Sequence, residues 1–193
     1  MKRLCVYCGS NFGDSPAYRH AAETLARALA ERGIGIVYGG GKVGLMGAVA
    51  DAALEAGGEV IGVIPQALMD REVGHAGLSE LRVVGSMHER KLEMADLSDA
   101  FVALPGGIGT LEELIEVYTW SQLGLHAKPC SLLDVAGYWG PLVAALDRMV
   151  EAGFLRAQHR ELLVVADDPD DLLARLESWR PRSVDKWIGR GEA

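Results

Sequence analysis

Residues 99–123 read DAFVALPGGIGTLEELIEVYTWSQL, and the fold turns on how that stretch is read. Ala100 to Leu104 are apolar throughout, the pattern of a strand covered on both faces in a parallel sheet. Pro105-Gly106-Gly107-Ile108-Gly109-Thr110 is a glycine turn, and a helix comes after it. Leu111, Leu114, Ile115 and Tyr118 recur at helical spacing and make one buried stripe. Glycines between a strand and a helix let a ligand approach the backbone closely. The free N–H groups of the first helical turn then point at that ligand, and they suit an anion such as phosphate. Glu113 lies three residues after Thr110, so the two share a helix face. A carboxylate beside a phosphate cradle repels the phosphate unless it acts on another part of the ligand. The pairing therefore suggests chemistry on a sugar phosphate.

Outward from this stretch, strand, turn and helix alternate along the whole chain. Arg3–Cys8 reads as a strand ending at Gly9-Ser10-Asn11. Ser15 is a helix N-cap with Pro16 at the first helical position, and the helix runs to about Glu31. Ile34–Tyr38 is a second strand, followed by Gly39-Gly40-Gly41-Lys42-Val43-Gly44 and a helix from Leu45 to about Ala56. Glu59–Ile64 is a third strand. Residues 66–80 are the least regular part, a short helix and then a loop placed to cover a site. Leu81–Val84, Pro129–Leu133 and Leu162–Val165 are further strands. Met87–Leu97, Trp139–Glu151 and Pro169–Trp179 are further helices. About seven such rounds predict an α/β fold: one Rossmann-like domain over residues 1–180, with a doubly wound parallel sheet and a polar tail over 181–193 that Trp187 could pin. Ligands of such sheets bind outside the strand C-termini, where the strand order reverses, and the three glycine turns all fall there.

The bulk numbers bound the partners. The chain has 193 residues, 49% hydrophobic and 24% charged, with a formal net charge of −8. No basic stripe suited to a nucleic acid is visible, so a phosphate must be captured locally against an unfavourable overall field. No run of about 18 apolar residues predicts a membrane span. The opening Lys2-Arg3-Leu4-Cys5-Val6-Tyr7 lacks the apolar core and cleavage site of a signal peptide, and three cysteines suggest no disulfide framework, so a cytoplasmic location is expected.

Other patterns weaken on inspection. Gly39-x-Gly41-x-x-Gly44 matches the dinucleotide fingerprint, but the acid expected at the end of the next strand is missing, since Glu59 stands at its start. A tight turn lining a nucleotide pocket is the better reading. Cys5 and Cys8 form a C-x-x-C inside a strand, where they face opposite sides and read as structural. The five histidines show no metal spacing, and no metal is expected. Arg90-Lys91 follows Met87-His88-Glu89 at the start of a helix. Adjacent cations of this kind are usually solvated, and the alternative is that the pair enters the cleft.

Pro105-Gly106-Gly107-Ile108-Gly109-Thr110-Leu111-Glu112-Glu113 resembles the P-G-G-x-G-T-x-x-E signature of the Lonely Guy (LOG) family, cytokinin riboside 5′-monophosphate phosphoribohydrolases. Arg90-Lys91, Cys8-Gly9-Ser10, Tyr38-Gly39-Gly40-Gly41, Gly44-Leu45-Met46-Gly47, Thr119-Trp120 and Gln122-Leu123-Gly124 are similar to that family too, so the resemblance spans roughly residues 2 to 175. It implies hydrolysis of the N-glycosidic bond of N6-substituted adenosine 5′-monophosphates to free base and ribose 5-phosphate, without a cofactor. It implies Arg90 and Glu113 as catalytic residues. Ser10, Gly41, Glu72, Lys91, Gly106, Gly107, Ile108, Gly109, Thr110 and Thr119 are implied as substrate-binding residues. It further implies a homodimer or higher homo-oligomer, for which Tyr118-Thr119-Trp120 with Leu123 and Leu125 offer interface or core. The alternatives are the same reaction on plain AMP or another purine nucleotide, and a non-catalytic nucleotide or molybdenum-cofactor carrier on the same fold. Many relatives carry a lysine decarboxylase label, yet no lysine here stands in a pyridoxal-phosphate context.

Overall fold

A computed structural model of the chain describes residues 1–69 and 74–180. Its elements in order are β1 (Arg3–Tyr7), α1 (Pro16–Glu31), β2 (Gly35–Tyr38), α2 (Gly44–Glu55), β3 (Val60–Pro65), α3 (Gln66–Met69), β4 (Glu80–Val84), α4 (Met87–Leu97), β5 (Ala100–Ala103), α5 (Ile108–Gln122), β6 (Cys130–Leu133), a 3-10 turn (Val135–Gly137), α6 (Gly140–Glu151), α7 (Ala157–Arg160), β7 (Leu163–Ala166) and α8 (Pro169–Ser178). The strands form one parallel sheet of order β4-β3-β2-β1-β5-β6-β7. The order reverses between β1 and β5. Leu4 pairs with Ala100 and Tyr7 with Ala103, so both strands deliver their C-terminal turns to the same crevice.

Strand alternation builds two cores. Leu4, Val6, Ile36, Tyr38, Val102 and Leu104 face α1, α2 and α8. Cys5, Tyr7, Val37, Phe101, Ala103 and Leu132 face α4, α5 and α6. Cys5 and Cys8 thus belong to opposite cores, and the cysteines at 5, 8 and 130 are free and buried. Burial pushes all three thiols up, Cys5 to about 12, which removes the thiolate that redox chemistry needs.

The expected elements are present, with small shifts at their ends. Ser15 caps α1 with its side chain accepting from Ala17 N–H, and Pro16 is its first residue. The helix after β5 starts at Ile108 rather than after Thr110, because Gly107 already serves as its N-cap. Gly109 and Thr110 therefore lie within its first turn. Neither the 3-10 turn nor α7 is foreseen from the sequence, since elements of three and four residues are too short to show a period. Glu72 and the tail with Trp187 lie outside the described residues.

Candidate active site

The site begins with backbone. After β5, Pro105 O accepts from Gly9 N–H at 3.1 Å, which ties the two C-terminal turns together across the switch in strand order. The first helix-type bond of α5 runs from Leu111 N–H to Gly107 O at 3.1 Å. The N–H groups ahead of Leu111 have no acceptor within the helix. They open on a cleft of about 290 Å³ lined by Gly9, Ser10, Gly107, Ile108, Gly109 and Thr110 together with Cys8, Met46, Met87, Arg90, Glu112 and Glu113. A Cβ on Gly107 or Gly109 would meet nothing within 4 Å, so the loop is open on its ligand side. A Cβ on Gly106 would strike Thr110 Oγ1 at 2.2 Å, so that glycine lets the turn fold onto its own helix.

Two helices bring the charges. α4 is capped by Ser86, which accepts from Glu89 N–H, and it carries Arg90 inward. Arg90 is 7% exposed. Its Nη2 donates to Gly39 O at 3.1 Å and stands 3.8 Å from Glu113 Oε1. The second distance is an ion pair without a hydrogen bond, so the carboxylate keeps its lone pairs for a ligand or a water. Arg90 Nε is buried and finds no hydrogen-bond partner among the described residues. A buried N–H without a protein partner on a fixed cation leaves a donor for an acceptor from a water or a ligand. Burial raises the Glu113 carboxyl above the ordinary carboxylate value. Arg90 pulls it back and neighbouring Glu112 pushes it up, and the net shift is upward. A carboxylate held this way takes a proton more readily than one in water.

The neighbouring lysine goes elsewhere. Lys91 Nζ sits 2.5 Å from Glu112 Oε1 and 2.9 Å from Glu116 Oε2, both on α5. Burial lowers the ammonium's pKa, the hydrogen bonds to Glu112 and Glu116 raise it, and the net is a raised value. Such a lysine is the reverse of an imine-forming one, which must shed its proton near neutral pH. Both cations are buried rather than solvated, and only Arg90 lines the cleft.

The other expected site residues spread out. Ser10, Gly107, Ile108, Gly109 and Thr110 line the cleft, and Gly106 lies just behind it. Gly41 is drawn into a bridge with Gly74, and its carbonyl accepts from the Tyr38 hydroxyl at 3.2 Å. Thr119 is half-buried on the fourth turn of α5 and does not line the cleft. Of the aromatic run, Tyr118 is core, its hydroxyl bonded to His159 O, whereas Leu123 and Leu125 are exposed. The residues that sequence reasoning missed are Gly39, which seats Arg90, the pair Glu112 and Glu116, and Met46 and Met87 on the cleft wall. The acids stand at i and i+4 on the helix of Glu113, a spacing that could have pointed to a shared cation.

Comparison with known proteins gives the family. A family model described as "Possible lysine decarboxylase" matches residues 46–176. The probable cytokinin riboside 5′-monophosphate phosphoribohydrolase LOGL9 of Oryza sativa subsp. japonica is 54% identical over 181 residues, covering 94% of this chain and 80% of its own. The cytokinin riboside 5′-monophosphate phosphoribohydrolase LOG7 of Arabidopsis thaliana is 49% identical, covering 94% and 83%. The chain belongs to the LOG family. Outside it, the molybdenum cofactor carrier protein of Chlamydomonas reinhardtii shares the fold, with a TM-score of 0.70 at 23% identity over 91% of this chain and 96% of that one. The LOG membership accounts for the cleft better than the decarboxylase description does. Among the described residues the one buried lysine, Lys91, is held between two carboxylates. Nor do the described residues include a cluster of three side chains able to hold a metal ion.

Proposed function

We propose that the protein hydrolyses the N-glycosidic bond of N6-substituted adenosine 5′-monophosphates, releasing the purine base and ribose 5-phosphate. The observation that carries this reading is the Arg90–Glu113 pair, 3.8 Å apart, in the same cleft as the open first turn of α5. In this reading the 5′-phosphate rests on the N–H groups of Gly107, Ile108 and Gly109 and on the Thr110 hydroxyl. This local capture overcomes the net charge of −8. The ribose then lies one helical turn along, beside Glu113. As the bond from C1′ to N9 breaks, positive charge develops on the ribose, and an ionised carboxylate stabilises it. Glu113 orients a water onto C1′ and takes its proton. The departing base takes up one proton, so the reaction is neutral in protons overall. Arg90, fixed by Gly39 O, binds an oxygen of the ribose phosphate and holds Glu113 ionised against its burial.

Incubation of the purified protein with isopentenyladenosine 5′-monophosphate and with AMP, followed by chromatography for free base, tests the proposal. Isopentenyladenine is the expected product. Adenine alone would make the enzyme a nucleosidase for plain AMP, and no base from either would leave a nucleotide carrier on this fold. Among the described residues no helix is long and apolar enough to cross a membrane. The nucleotide substrate fits a cytoplasmic enzyme. The exposed Leu92, Ile108, Leu123 and Leu125 on or beside α4 and α5 are the apolar side chains that a homodimer would bury in this reading.

A further inference from the structure

A second cavity of about 240 Å³ adjoins the cleft, sharing Gly9, Ser10 and Gly107 as walls, and Tyr138 lines it without lining the cleft. The Tyr138 hydroxyl donates to Gly106 O at 2.5 Å, across 32 residues of sequence. The side chain is 38% exposed, and what fixes it is its backbone and two ring contacts. Tyr138 comes after the turn Val135–Gly137, in which Ala136 (φ 54°) and Gly137 (φ 75°) are both left-handed. Ala136 is the one non-glycine in that region among the described residues, a strain that persists only where surrounding contacts impose it. Here they are Tyr138 N–H to Val135 O at 3.2 Å, Trp139 N–H to Asp134 Oδ1 at 2.6 Å and Asp134 N–H to Ala166 O at 2.7 Å. The ring meets Tyr18 and Trp139 edge-on, with centroids 5.6 and 4.9 Å away.

The carbonyl this hydroxyl holds is the one its neighbours leave loose. Pro105 O is fixed by Gly9 N–H, and Gly107 O by the helix. Between them lies the Gly106–Gly107 peptide, flanked by glycine on both sides and so the easiest plane of the loop to rotate. In a trans peptide the C=O and N–H point in opposite directions. With Gly106 O turned to Tyr138, Gly107 N–H is turned away from the tyrosine, and Gly107 also lines the cleft, which Tyr138 does not.

We propose that Tyr138 is a positioning residue for the phosphate cradle: its hydroxyl fixes the Gly106–Gly107 peptide so that Gly107 N–H faces the 5′-phosphate. This rests on the reading that the first turn of α5 holds that phosphate. Tyr138→Phe removes the hydroxyl and keeps the ring packing. Calorimetric titration of the wild type and the variant with ribose 5-phosphate and, separately, with isopentenyladenine is the test, alongside kcat, KM and thermal melting. The variant is expected to bind ribose 5-phosphate about 3- to 10-fold more weakly, the worth of one hydrogen bond. KM for the nucleotide rises in step, while affinity for the free base and the melting temperature do not change. Wild-type affinity for ribose 5-phosphate in Tyr138→Phe overturns the inference and leaves the cradle standing. So does an equal loss for the sugar phosphate and the base, which marks a merely structural bond. A wild type that binds no ribose 5-phosphate removes the cradle, and this inference with it.

Discussion

The two glycine-rich turns, 39–44 after β2 and 105–110 after β5, look alike in sequence and do opposite things. In the first, the space around the glycines is filled by protein. A Cβ on Gly39 would stand 2.0 Å from Arg90 Nη2, one on Gly44 would stand 2.3 Å from the Ser10 backbone, and one on Gly47 just beyond would stand 2.2 Å from Lys42 O. Gly40 O and Gly41 are tied to His75 and Gly74. In the second, Gly107 and Gly109 face open space. The helices behind the two turns differ in the same sense. α2 begins Gly44-Leu45-Met46-Gly47 with no polar side chain in its first turn, whereas α5 brings Thr110 and then Glu113. A glycine turn admits a close neighbour, and the side chains of the next helical turn tell whether that neighbour is the chain itself or a ligand.

The largest effect is expected where ligand chemistry alone is removed. Glu113→Gln keeps the shape of the side chain and is expected to lower kcat on the order of 10²-fold or more, about 3 kcal/mol, with unchanged circular dichroism. Turnover at the wild-type rate would remove Glu113 from the mechanism. Next comes the first turn, through its effect on Arg90. Gly39→Ala leaves the helices in place, since the atom it meets is the end of a flexible side chain, but it displaces the guanidinium. A fall in kcat of roughly 10- to 100-fold is expected in a base-release assay. Gly109→Ala touches no protein atom, so the opposite signature is expected: the free energy of unfolding is unchanged or raised by up to ~1 kcal/mol, while KM for the nucleotide rises about 10-fold as one charge-assisted hydrogen bond is obstructed. If Gly109→Ala unfolded the protein and Gly39→Ala left kcat intact, the contrast between the turns would be wrong.

The smallest effects concern stability. Lys91→Met leaves Glu112 and Glu116 facing each other without their cation. Both acids are partly solvated, so a loss of about 1–2 kcal/mol is expected in urea unfolding, with base release still detectable. Glu113 supplies a pH test. Its carboxyl is raised in the native state from the ordinary value of 4.5. The native protein therefore keeps this proton after the unfolded chain has lost it. The group's contribution to stability is full below pH 4.5 and declines as pH rises through that value toward the native one. Glu113→Gln is expected to flatten this decline and to be at least as stable as the wild type at neutral pH. The acid limb of kcat in the wild type is expected above the ordinary carboxylate range.

Much of this was legible in the chain because it is local. Pro16–Glu31 and Met87–Leu97 carry their own caps and periods, and Thr110 and Glu113 share a face by spacing alone. The part that was not legible is the part tertiary packing decides. Arg90 and Lys91 are neighbours in sequence, yet one turns to Gly39 and the cleft and the other to Glu112 and Glu116, a division set by where α5 lies. Gly39 reads as part of a nucleotide fingerprint until its contact 51 residues away is known. The turn that presents Tyr138 is too short to carry a pattern, and its partner Gly106 is a strand and a helix away.

In this reading the turn after β5 holds the nucleotide and the turn after β2 holds the protein together. A crystal structure of Glu113→Gln with isopentenyladenosine 5′-monophosphate bound is the most direct measurement of it. The phosphate is expected on the backbone N–H groups of Gly107, Ile108 and Gly109, with C1′ beside residue 113 and Arg90. A phosphate seated on residues 39–44, or a ribose turned away from residue 113, would contradict it.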